Sequence, residues 1–173
     1  MRDSQRSKVY AAEKIAFDWK YGELDPRFDV GSIEGAQAIA EAVWTSRTIL
    51  DEYDATRARN VPIIKQAHGK RKNGCYWHER NEIHLARVCG LKWYVLHEVA
   101  HALVPESEDR AAHSHEWVAC YLDLVRVFMG KRYAEALIEA FKIKRVQYKP
   151  KRAYTISAEE RERRSARASA MHA

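Results

Sequence analysis

Residues 92–105 read KWYVLHEVAHALVP, with His97-Glu98-Val99-Ala100-His101 at the centre. The flanking Val95, Leu96, Val99, Ala100, Ala102, Leu103 and Val104 predict a buried helix that stops at Pro105. Residues four apart on a helix share a face, about one turn apart. His97 and His101 then point the same way and can grip one metal ion. Glu98 flanks that face, where its carboxylate reaches a water on the ion without being a ligand. Two histidines and a glutamate are costly to bury in an apolar helix without partners. The H-E-x-x-H spacing therefore predicts Zn²⁺, one ion per chain, with Glu98 as general base.

A catalytic zinc usually has three protein ligands and an open fourth position. Downstream the chain offers Glu106, Glu108, Asp109, His113, His115 and Glu116. A second apolar-periodic segment follows, marked by Trp117, Val118, Tyr121, Leu122 and Val125. A histidine just before such a helix, whose aromatic packs on the first helix, would be firmly held.

H-E-x-x-H, a loop of about a dozen residues and then His113-Ser114-His115-Glu116-Trp117 resembles the paired motifs of the SprT-like zincin metallopeptidases. The resemblance implies His113 as third ligand, Ser114 as the motif's small residue and Trp117 as its aromatic. His115 stands as an alternative ligand or a transition-state stabiliser. The opening RDSQRSKVYAAE, the HEVAHALVP helix and HSHEWVACYLDLV together resemble an uncharacterised family of zincin-like metallohydrolases from actinobacteria and their phages. That likeness spans most of residues 2–130. It implies a minimal zincin-like α+β domain, with a small, mostly antiparallel sheet packed on helices. It further implies that Glu82, Ile83, His84 and Leu85 form the strand along the cleft that pairs with extended peptide substrate.

A chain of 173 residues predicts one domain with a real core. It has no apolar run long enough to span a membrane and no apolar signal core at its start, so a cytoplasmic protein without membrane attachment is expected. Cys75, Cys89 and Cys120 are odd in number and widely spaced, which argues against a disulfide framework. The net charge is +6, yet from Lys142 onward ten Lys or Arg face three Glu, so the basicity belongs to the tail. We divide the chain into a body, residues 1–142, and a basic arm with a short charged helix, residues 143–173.

Along the body, Val9, Ala12, Ala16 and Trp19 predict an amphipathic helix over Ser4–Lys20 that covers the core. Ser32 reads as the N-cap of a second helix carrying Ala36, Ala40, Val43 and Trp44. Val61–Ile64, Cys75–Trp77 and Glu82–Leu85 read as strands, with Asn73-Gly74 as a tight turn. Helices over Glu116–Met129 and Lys131–Lys142 complete the body. His68, His78 and His84 read as surface or strand-edge residues. Glu116 and Asp123 are placed to accept the second ring N–H of a zinc histidine.

The expected activity is zinc-assisted hydrolysis of a peptide bond in a peptide or protein substrate, with His115, Tyr121 or Arg110 as oxyanion partner. Two rival readings stand beside it. One is a SprT-like protease whose basic tail holds nucleic acid by sequence-blind phosphate contacts. The other is a non-catalytic module in which zinc is structural and a further histidine, such as His115, closes the site.

Overall fold

The structure is a computed structural model that describes residues 3–17, 29–53, 60–68, 74–86, 91–107 and 110–148. Among these, six helices and three short strands make an α+β fold. In chain order they are α1 (Arg6–Ala16), α2 (Ile33–Thr45), α3 (Arg47–Leu50), β1 (Ile63–Gln66), β2 (Cys75–Trp77), β3 (Glu82–Leu85), α4 (Lys92–Leu103), α5 (His115–Phe128) and α6 (Lys131–Lys144).

Helix α4 runs through the middle. Val95, Leu96, Val99 and Ala100 are fully buried, and α4 packs on α2, α5 and the sheet. Burial of each large aliphatic chain contributes ~1.5–3 kcal/mol. The helix is apolar on nearly every side, so its polar residues have nowhere to go but inward. Its end at Val104, where the backbone N–H still bonds Ala100 O at 2.9 Å, precedes Pro105 as expected. The predicted Ser32 cap forms, and a second cap not predicted forms at Ser114. The Ser32 hydroxyl accepts from Gly35 N–H at 3.1 Å to open α2, and the Ser114 hydroxyl accepts from Trp117 N–H at 3.3 Å to open α5.

The sheet differs from expectation. Its order is β1-β3-β2, with β1 parallel and β2 antiparallel to β3, so it is mixed rather than mostly antiparallel. Glu82, Ile83, His84 and Leu85 form the central strand, paired on both edges. They cannot add a substrate strand, and that assignment is withdrawn. The polar–apolar alternation of β3 predicts a half-buried strand. In fact Glu82, Ile83 and Leu85 are buried, and the Glu82 carboxylate is held by Lys65 at 2.6 Å and His84 at 2.9 Å. The outer edge of β1 is blunted by α2, whose Gln37 side chain accepts from Ile64 N–H at 2.8 Å and donates to Pro62 O at 3.3 Å. The other edge of the sheet is β2.

The body also runs past residue 142. Helix α6 continues to Lys144 and closes with Arg145 in the left-handed region (φ 52°), Arg145 N–H on Lys142 O and Val146 N–H on Phe141 O at 2.9 Å. Val146 is buried and Tyr148 packs on the core. The rest of the basic arm, with its predicted charged helix, lies outside the described residues, as do Asn73, Cys89, Glu108, Asp109 and 18–20 of the first helix. No helix among the described residues is long and apolar enough to cross a membrane.

Candidate metal centre

Helix α4 and the turn before α5 bring His97, His101 and His113 together, with one nitrogen from each lying within 4.8 Å of the others. His97 Nε2 and His113 Nε2 are 3.3 Å apart. Two ligands at ~2.0–2.1 Å from one tetrahedral ion would sit about 3.3–3.4 Å from each other. The His97–His113 pair is therefore spaced as two ligands of one such ion would be. His97 and His113 are buried and His101 is partly so. Trp117, fully buried, stacks on His101 at 4.8 Å and meets His97 and His113 edge-on at 4.7 and 4.5 Å. This is the aromatic brace expected of α5.

The other ring nitrogens are held by carboxylates that sequence reasoning missed. His97 Nδ1–H donates to Glu13 Oε1 at 2.6 Å, and His113 Nδ1–H donates to Asp3 Oδ2 at 2.6 Å. Each bond fixes its ring and strengthens the opposite nitrogen as a ligand. Asp3 acts twice, since its Oδ1 also accepts from the backbone N–H groups of Gln5 and Arg6 at the start of α1. The Gln5 side chain donates to His113 O and to Gln147 O, both at 3.1 Å, tying the third-ligand turn to the end of the body. A signal was present. Asp3, Arg6, Tyr10 and Glu13 recur at helical spacing, a polar stripe beside the apolar face of Val9, Ala12 and Ala16. The apolar face alone predicts a core cover, and the polar face carries the supports of the histidines.

Glu116 and Asp123 do not take this role. Asp123 accepts from Tyr53 O–H at 2.8 Å and pairs with Arg126, while Glu116 pairs with His115 at 3.1 Å. The His115 side chain is 42% exposed and is not in the histidine cluster. It is therefore neither a ligand here nor a fourth one closing the site. Tyr121 is fully buried, with its hydroxyl donated to Trp93 O at 3.3 Å. Arg110 acts electrostatically on Glu116 rather than on the histidines.

Burial keeps His101 well below the usual imidazole range, helped by its two histidine neighbours, and lowers His113 likewise. Both offer neutral nitrogens at pH 7. Burial would lower His97 too, but the charge and hydrogen bond of Glu13 outweigh it and raise the net value. Glu98 is buried, and desolvation pushes its carboxyl up to about 7, with Glu13 adding and His97 opposing. A proton acceptor poised near neutral pH is what a general base requires.

Glu98 faces the start of β2. A Cβ on Gly74 would stand 3.0 Å from Glu98 Oε1, 3.0 Å from His84 O and 3.2 Å from the Tyr94 ring, and the Tyr94 hydroxyl accepts from Gly74 N–H. Gly74→Ala is expected to displace Glu98, because the His84 backbone cannot yield. Overpacking of this kind costs ~1–3 kcal/mol. Activity should fall further than thermal stability, with zinc stoichiometry unchanged, as read by parallel melting, metal and turnover assays.

Glu13→Gln and Asp3→Asn should each weaken zinc binding by roughly 10–100-fold, the usual effect of losing a carboxylate behind a metal histidine. Asparagine keeps the capping oxygen, so the helix start survives in Asp3→Asn. Competition against a chromophoric chelator measures both.

Comparison with known proteins returns no matching family model, curated protein or solved structure.

Proposed function

We propose that the chain is a zinc-dependent hydrolase of the zincin type that cleaves peptide bonds. One observation carries this reading: three imidazole nitrogens clustered within 4.8 Å, with Glu98 buried beside His97 on the same helix. A purely structural site has no use for a carboxylate there. Zinc, when bound by His97, His101 and His113, supplies a Lewis acid that acidifies water and polarises a carbonyl. Glu98 takes the proton from the attacking water and delivers it to the leaving nitrogen. Glu13 and Asp3 hold the histidines in register through both steps. The likeness to SprT-like enzymes and to the actinobacterial and phage family supports the same reading, and it suggests a protein substrate.

The substrate-binding role first given to β3 passes to β2. It is the other edge strand of the sheet, and its first residue follows Gly74, where a Cβ would stand 3.0 Å from Glu98 Oε1. A peptide laid along this edge would bring its backbone past the general base. The test is to incubate zinc-loaded protein with a proteome-derived peptide library and sequence the products by mass spectrometry. New amino and carboxyl termini at defined sites, lost on chelation and restored by zinc, are expected. Intact peptides at every pH and zinc level would remove the peptidase assignment.

A further inference from the structure

The catalytic parts so far lack a group that meets the negative charge on the substrate's carbonyl oxygen, and such a group is commonly worth as much as any other part of the machinery. His115 is paired with Glu116 and Tyr121 is fully buried. Helix α1 offers a better pair. The Tyr10 ring lies parallel to His97 at 5.4 Å and edge-on to His113 at 5.6 Å, so it touches two of the three histidines. Unlike Tyr121, it is only partly buried. Arg6, one turn earlier on the same face and exposed, sets its guanidinium 5.8 Å from the centre of the Tyr10 ring.

From this geometry we propose that the Tyr10 hydroxyl and the Arg6 guanidinium bind the substrate oxygen that becomes negatively charged, forming the oxyanion site of the metal centre. The pair sits on the helix that also supplies Glu13 and that Asp3 shortly precedes, so one stretch of chain carries the supports of two histidines and both donors. Electrostatics agrees with the placement. The charge of Arg6 is felt at Tyr10. The charge of Arg6 is felt at Glu98, His97 and His101 as well.

The inference rests on the metal-centre reading, and its test separates the two. The full chain is loaded with Co²⁺, whose visible absorption reports binding at the metal, and titrated with methylphosphonate, a tetrahedral oxyanion. Tyr10→Phe and Arg6→Gln should each take up one Co²⁺ per chain with wild-type affinity. Each should bind methylphosphonate roughly 10–100-fold more weakly, the effect of losing a hydrogen bond to a charged acceptor. Phenylalanine keeps the ring on His97, so a packing role alone would leave phosphonate affinity unchanged, and that result overturns the proposal. Weakened Co²⁺ binding in Tyr10→Phe overturns it too, by making the phenol a support for the histidines. A wild-type chain that binds no Co²⁺ defeats the metal-centre reading itself. A wild-type chain that binds Co²⁺ but no phosphonate defeats only the oxyanion site.

Discussion

Glu98→Gln is expected to abolish measurable peptide hydrolysis, a fall of at least ~10²–10⁴-fold, while the protein still binds one zinc per chain. Glutamine has the same shape, and Glu98 is not among the clustered ligands. The substitution therefore removes the proton acceptor and little else. A second readout is independent of activity. Burial raises the folded-state value of Glu98 from 4.5 to about 7. The folded state then holds this proton more tightly than the unfolded chain, so Glu98 lowers stability progressively as pH rises from about 4.5 to about 7. That loss, on the order of a few kcal/mol, should be missing from Glu98→Gln. With metal stripped from both proteins, the variant should melt above wild type at pH 8 and alongside it near pH 4. A variant that still hydrolyses peptides would show that another group takes the proton.

His113→Ala should be the most damaging change to the metal centre. It removes the ligand that α5 brings to α4 and leaves Asp3 without its imidazole partner, 2.6 Å away in the wild type. Zinc affinity should fall by more than the ~10–100-fold expected for the carboxylates behind the ligands, and hydrolysis should go with it. His115→Ala is the matched control. That side chain is exposed and paired with Glu116, so both zinc binding and turnover should persist. The opposite pattern, with His115→Ala losing zinc and His113→Ala keeping it, would require the second motif to be read two residues later.

Much of the centre was legible in the sequence because one element carries it. An apolar helix with two histidines four apart leaves few other places for them, and α4 obeys that periodicity. Trp117 braces the histidines as its position implied, whereas the capping of α5 by Ser114 was not read from the sequence. What escaped was the contribution of distant chain. Glu13 meets His97 across 84 positions and Asp3 meets His113 across 110, and no local pattern encodes those pairings. The polar stripe on α1 was visible but ambiguous, since charged residues at helical spacing usually face water. The sheet failed for a similar reason. Alternation in Glu82–Leu85 indicates a strand but not its neighbours, and the parallel return of β1 to its side is a long-range event. The end of the body was missed because basic composition masked two apolar residues, Val146 and Tyr148, that dock on the core.

The most direct measurement is anomalous diffraction at the zinc edge from crystals grown with one equivalent of zinc. The account predicts a single peak at ~2.0–2.1 Å from one nitrogen of each of His97, His101 and His113, with the fourth position held by solvent and the Glu98 carboxylate beside it. A peak elsewhere, no peak at all, or a fourth protein ligand closing the ion off from solvent would contradict it.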